Sequence, residues 1–232
     1  MFKQVTKHQT ENDHEPDISQ DKITLYNAIN INLSSKPKWY IEKYNALGKV
    51  PTLVVGGKEI ITESDKVIEY IDENLVNPKH KLLNVCQLDG YKKTKELFEA
   101  VMQFIFKVFY NMNNEEWTKE QECEWLSSLI KLNDFIKGPY LFGDQLSLAD
   151  FYIIPFIERY EFLMARLLKI SLDQVKEGYP SHPDELKSWP KLIAYRDTLR
   201  TQDWYNAARN PISRYAEFLH AYLITKQPVY DD

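Results

Sequence analysis

Val50-Pro51-Thr52-Leu53 sets a proline immediately before an apolar, β-branched run. An X-Pro bond can be cis, because its tertiary amide cuts the trans preference to about 0.5–1 kcal/mol. A cis Pro51 turns the backbone of Val50 outward, so that its N–H and C=O can pair with an extended peptide as another strand would. A trans proline at a strand start explains the same residues, since a missing donor is harmless there, and this motif alone favours that account. Glu63-Ser64-Asp65 stands where the pattern turns helical. Amides at a helix start lack intrahelical acceptors and face the positive end of the dipole, so an anion fits. The Ser64 hydroxyl adds a donor, and Glu63 could accept from an ammonium group on the same ligand. A carboxylate beside an ammonium is the head of an amino acid. The plainer account is an N-cap with acidic first-turn residues, worth about 1 kcal/mol of helix stability, and alone the motif is more often that. Ser147-Leu148-Ala149-Asp150 has Ser at an N-cap and Asp at N3, a box-like pair that starts a helix and carries no chemistry.

The remaining residue types narrow the chemistry further. Cys86 and Cys123 are the two cysteines of 232 residues, which makes no disulfide framework and no zinc-ligand spacing, so no metal is expected. A reducing compartment, the cytosol, is the simplest setting. Cys123 stands between Glu122 and Glu124, and acidic neighbours raise a thiol pKa, so it reads as structural. No cation-rich motif poises Cys86. With 29 Lys+Arg against 34 Asp+Glu, no basic face is concentrated and nucleic-acid binding is not expected. The most apolar run, 151–168, is broken by Glu158, Arg159, Glu161 and Arg166, so a buried helix is expected there and no membrane span.

These motifs need elements to hold them. Residues 1–21 are polar and without periodicity and read as a mobile arm. Ile23, Leu25, Ile29, Ile31 and Leu33 share one parity, the alternation of a strand, yet a strand of 23–33 is twice the usual length. Residues 36–45 read as a short helix capped by Ser34 or Ser35, with Pro37 early and Gly48 as its stop. Thr52–Val55, Gly56-Gly57 and Glu59–Ile61 predict a hairpin, and a helix capped by Ser64 or Thr62 follows. Beyond Pro78 the pattern is helical: 91–112, 120–136, 147–168 with Pro155 inside, 189–200, 203–206 and 215–223. The expected organisation is therefore α+β: an arm (1–21), a small sheet domain (22–76), a linker (77–88) and an all-α domain (89–232).

Taken together, in this order and spacing, the motifs resemble the glutathione transferase family, and its omega class most of all. Lys36-Pro37-x-Trp39 is similar to that class's Lys-Pro-x-Trp stretch, and Phe142-Gly143-Asp144 leading to Ser147 and Pro155 is similar to its core-helix entry. The resemblance covers about Ile29 to Leu223. It implies a thioredoxin-like N-terminal domain and a helical-bundle C-terminal domain. It implies that glutathione is the co-substrate, with Val50 beside a cis Pro51 pairing with the cysteinyl part, Glu63 and Ser64 holding the γ-glutamyl head, and Lys36 neutralising the glycyl carboxylate. A small hydrophobic or disulfide co-substrate would lie against Phe104, Phe106, Phe109 and Tyr110. A homodimer is expected on the same ground.

One part of the family pattern is missing. The family's first strand is followed by a loop with the nucleophile, in the omega class a cysteine in a Cys-Pro stretch, then a helix, then the second strand. Here Ile23–Tyr26 resembles the first strand and Asn27–Leu33 the second, with nothing between, whereas parallel neighbours need a crossover of about a dozen residues. The N-terminal domain thus reads as truncated, through splicing or a gene-model error that the mature transcript decides. No residue is assigned as catalytic. Tyr26, at the mouth of the absent loop, is a remote candidate donor to a bound thiol. The expectation is glutathione-dependent thiol transfer, dehydroascorbate-type reduction or conjugation, with weak affinity and much reduced turnover. The alternative is a non-catalytic glutathione-binding or scaffold protein.

Overall fold

The computed structural model describes residues 2–3, 14, 23–26, 31–32, 35–111, 118–163 and 189–209, with 213, 215 and 217. The chain divides into two units, Met1–Pro78 with Glu217–Asp232, and Lys79–Ala216. The first is built on a four-stranded sheet and the second is helical, which is the α+β class.

In the first unit the order is β1 (Phe2–Lys3), β2 (Ile23–Tyr26), α1 (Lys38–Lys43), β3 (Thr52–Val55), β4 (Glu59–Thr62) and α2 (Ser64–Asn74). The sheet order is β1-β2-β3-β4, with β1 parallel to β2 and the other pairs antiparallel. Two expectations are corrected here. Phe2 and Lys3 are paired with Ile23 and Thr24, so these two residues belong to the sheet and not to a mobile arm. The parallel neighbour of Ile23–Tyr26 is therefore β1, and residues 4–22 are long enough for the crossover that a parallel pair needs. The eleven-residue strand is also corrected: β2 stops at Tyr26, and Ile31 is a buried bridge residue outside the named strands.

β3 is buried at Thr52, Leu53 and Val54, so both faces of that strand are covered. The core on one side is aromatic: Tyr26, Tyr40 and Tyr44 pack with Ile31 and Val54, and Trp39 and Val50 lie against them. The rings of Tyr26 and Tyr44 are 5.3 Å apart, and those of Tyr26 and Trp39 5.7 Å, in tilted arrangements that aromatic pairs favour. α1 begins two residues later than expected. Pro37 occupies its N-cap, and Ser35 instead closes a turn by donating its N–H to the Asn32 side chain at 3.0 Å.

The helical unit contains α3 (Leu83–Asn111), α4 (Lys119–Phe135), α5 (Leu148–Leu163), α6 (Pro190–Arg200) and α7 (Asp203–Ala208). α3 starts inside residues 77–88, where the sequence suggests a linker, and Gln87 breaks its helical backbone with φ 58°. α5 runs through Pro155. Thr118 and Gln121 form a reciprocal capping box on α4. Two of the charges that interrupt the apolar run, Glu158 and Glu161 in α5, are buried ties. Glu161 accepts from Arg196 at 2.7 Å and Arg200 at 2.5 Å, and Glu158 accepts from the Tyr205 hydroxyl at 2.9 Å beside Arg209. The expected helix at 215–223 lies outside the described residues, apart from 215 and 217.

Candidate functional site

The ladder between β3 and β4 sets the site. Thr52 is paired with Thr62, so the next residues outward, Pro51 and Glu63, flank the same end of the sheet. Tyr26 is paired with Thr52 on the other side. The Val50–Pro51 bond is cis. Glu63 is the N-cap of α2 and Ser64 its first helical residue, which corrects the assignment of Ser64 or Thr62 as cap. The reason is the Glu63 backbone: at φ 72°, ψ 131° it turns sharply from β4 into the helix, and its side chain makes no capping bond. A non-glycine residue with positive φ costs about 1–3 kcal/mol and persists only where its surroundings impose it, most often at binding and active sites. The first intrahelical bond runs from the Val67 N–H to the Glu63 carbonyl at 3.0 Å, so the amides before Val67 have no acceptor within the helix. The Glu63 and Ser64 side chains are exposed.

Lys36 meets the same loop. Its stem crosses Gly48 so closely that a Cβ there would stand 2.7 Å from Lys36 Cδ and 3.5 Å from Nζ. Gly48 has φ +61° and donates its N–H to the Asn45 carbonyl at 2.7 Å. Lys36, Val50 and Pro51 are each half-buried. The loop between α1 and β3 is tied from below. The Tyr40 hydroxyl donates to the Lys49 carbonyl at 2.6 Å, and the Asn45 amide donates to that carbonyl at 2.9 Å. The sequence gives little sign of Tyr40, Asn45 and Thr52 as supports, because only tertiary packing shows that their polar atoms converge.

This end of the sheet therefore offers three chemically distinct features. They are the Val50 main chain at the bend before the cis Pro51, a helix start carrying a hydroxyl and a carboxylate at Glu63-Ser64, and an ammonium at Lys36. Such a set suits an extended peptide with an amino-acid head and a second carboxylate.

Other candidates fall elsewhere. Tyr26 is wholly buried among aromatic rings, so it is a core residue and no donor at the mouth of the site. Cys86 is buried in the helical unit, and burial pushes its thiol pKa up, which leaves it a poor nucleophile. Cys123, also in the helical unit, is half-exposed. Ser147 and Asp150 lie in the helical unit as well. The Asp150 carboxylate accepts from the Leu141 N–H at 2.9 Å, the Ser147 N–H at 2.8 Å and the Ser147 hydroxyl at 2.6 Å. The side chains of Phe104, Phe106, Phe109 and Tyr110 lie outside the described residues. Among the described residues, no group of His, Cys, Asp and Glu could hold a metal ion, and no helix is long and apolar enough to cross a membrane.

Comparison with known proteins gives this geometry a family. Residues 19–74 match the family described as "Glutathione S-transferase, N-terminal domain", and residues 115–198 match "Glutathione S-transferase, C-terminal domain". Glutathione S-transferase L1 of Arabidopsis thaliana is 30% identical over 181 residues, spanning 77% of this chain and 71% of that protein. Glutathione S-transferase omega-1 of Mus musculus is 30% identical over 205 residues, spanning 85% of this chain and 75% of that protein. The crystal structure of glutathione transferase Omega 3C from Trametes versicolor shares the fold, with a TM-score of 0.58 at 20% identity over 78% of this chain and 76% of that one. With a sheet domain closed at Pro51 and Glu63 and a helical domain behind it in sequence, the chain belongs to the glutathione S-transferase family.

Proposed function

We propose that this chain binds glutathione at the end of the sheet formed by Val50, Pro51, Glu63, Ser64 and Lys36. The Val50 backbone pairs with the cysteinyl residue. Ser64 and the first-turn amides of α2 hold the γ-glutamyl carboxylate, Glu63 accepts from its ammonium, and Lys36 neutralises the glycyl carboxylate. The observation that carries this reading is the Thr52–Thr62 register, which sets the cis peptide and the positive-φ helix start side by side. The reaction class is glutathione-dependent thiol transfer, reduction or conjugation of omega type on a small hydrophobic or disulfide co-substrate. Turnover is weak, because residues 1–78 contain no cysteine and Tyr26 is buried. Those two facts also favour a second reading, a glutathione-binding or scaffold protein without catalysis. A cytosolic homodimer is part of the proposal.

Retention of the full chain on immobilised glutathione, followed by a thiol-transfer assay on the eluted protein, tests both readings. Specific elution by free glutathione with slow turnover supports the enzyme. Elution without turnover supports the scaffold, and no retention contradicts the binding site itself.

A further inference from the structure

The three polar side chains beneath the site form a closed hydrogen-bond circuit whose proton positions are fixed by counting. Tyr40 has one hydroxyl hydrogen, and it goes to the Lys49 carbonyl at 2.6 Å. The Tyr40 and Thr52 hydroxyls are 2.8 Å apart, so Thr52 must be the donor in that contact. Thr52 Oγ1 then accepts from the Asn45 amide at 3.3 Å. The second amide hydrogen of Asn45 goes to the Lys49 carbonyl at 2.9 Å. Asn45 Oδ1 accepts the Leu47 N–H at 3.1 Å, so every polar atom of the Asn45 side chain is used. Tyr40 and Thr52 are wholly buried and Asn45 nearly so, where an unmade bond is costly.

The circuit grips the backbone on both sides of one point: the Lys49 carbonyl immediately before Val50, and the Thr52 side chain immediately after Pro51. Val50 is the residue whose main chain faces the ligand in the reading above, on which this inference rests. We propose that Tyr40, Asn45 and Thr52 are positioning residues that hold the Val50 peptide ready for the cysteinyl segment of glutathione. They touch no ligand and act through Lys49 and Thr52. Burial raises the Tyr40 phenol pKa above its ordinary value, with the Thr52 bond opposing it, so Tyr40 stays a donor at neutral pH. A site already held in its binding geometry loses less entropy on binding, and a loosened one pays that cost in affinity.

The test combines calorimetric titration with glutathione and 15N relaxation at the Val50 amide of the ligand-free full chain. The variants are Tyr40→Phe, Thr52→Val and Thr52→Ser, all of nearly unchanged shape or smaller. In wild type and Thr52→Ser the Val50 order parameter should be that of rigid backbone, about 0.85. In Tyr40→Phe and Thr52→Val it should fall clearly, and glutathione should bind about fivefold more weakly, with Thr52→Ser close to wild type. The double variant Tyr40→Phe/Thr52→Val should be less impaired than the product of the single effects, because the circuit acts as a unit. Unchanged affinity and unchanged Val50 order in both hydroxyl-deletion variants overturn the proposal. Lost affinity with unchanged Val50 order overturns it too, since the effect would then not pass through the backbone. Should wild type fail to bind glutathione, the functional reading fails, while the ligand-free order parameters still decide the clamp.

Discussion

Gly48→Ala separates the role of Lys36 from the rest of the site. Gly48 has φ +61°, and an alanine there takes on the left-handed penalty of about 1–2 kcal/mol. Its Cβ would also stand 2.7 Å from Lys36 Cδ, closer than carbon atoms tolerate, and a tight 3.2 Å from Cε. Because those atoms lie toward the end of a flexible stem, the lysine swings aside and the backbone stays. Gly57→Ala is the matched control: its φ is +68°, and a Cβ there has nothing within 4 Å. Both variants should therefore lose about 1–2 kcal/mol of stability, read as a melting shift of about 4–8 °C per kcal/mol for a domain of this size. Only Gly48→Ala should weaken glutathione. A half-exposed lysine–carboxylate pair is worth up to about 1 kcal/mol, so the dissociation constant should rise about fivefold. Lys36→Met should give the same loss of affinity without the loss of stability. Calorimetric titration with thermal denaturation on the same samples provides both numbers. Equal glutathione affinity in Gly48→Ala, Gly57→Ala and wild type would show that Lys36 does not meet the ligand.

Further predictions concern the helical unit. Asn133→Ala should destabilise it by about 1–2 kcal/mol. Asn133 Oδ1 receives the Lys191 and Leu192 amides at 2.9 and 3.2 Å and so caps α6, whose own N-cap, Trp189, has no capping side chain. Asn133→Asp should keep most of that stability in thermal denaturation. Glu161→Ala should cost about 1–3 kcal/mol, because it removes the 2.7 Å acceptor of Arg196 Nη1, on a guanidinium only 2% exposed, while the bonds of Arg196 to Asp197 remain. A denaturant titration measures it, and a smaller loss is expected for Glu161→Ala combined with Arg196→Met. Burial raises the phenol pKa values of Tyr160, Tyr195 and Tyr205. A raised folded-state pKa gives stability that is complete below the ordinary phenol value of about 10 and is lost as pH rises beyond it. Circular dichroism should show alkaline unfolding above about pH 10, moved upward in Tyr205→Phe.

Much of the sheet domain is legible in local chemistry. Thr52–Val55 and Glu59–Thr62 are β-rich, and Gly56 and Gly57 take the positive φ that their turn needs, so the hairpin stands out at once. The helix after Glu63 is equally plain, but its cap is not. A serine is the ordinary cap, and nothing local says that Glu63 takes a positive φ and moves Ser64 into the first turn. Phe2 and Lys3 carry no strand signal, since their place beside Ile23 and Thr24 comes from pairing over distance. Tyr40 and Asn45 fall in the helix expected over 36–45 and Thr52 in the expected hairpin, and their shared circuit exists only in the folded loop. Glu158 and Glu161 stand in the sequence as charged interruptions of an apolar run, with nothing local to name their partners. Their partners are supplied by residues 196–209, too far along the chain for a periodicity to register.

The most direct measurement of the central claim is an amide-resolved NMR titration of the full chain with glutathione. The account predicts saturable shifts clustered at Gly48, Val50, Glu63, Ser64 and Asp65, with the amides of α6 and α7 unmoved. Shifts that miss Val50 and Ser64, or none at millimolar glutathione, would contradict it.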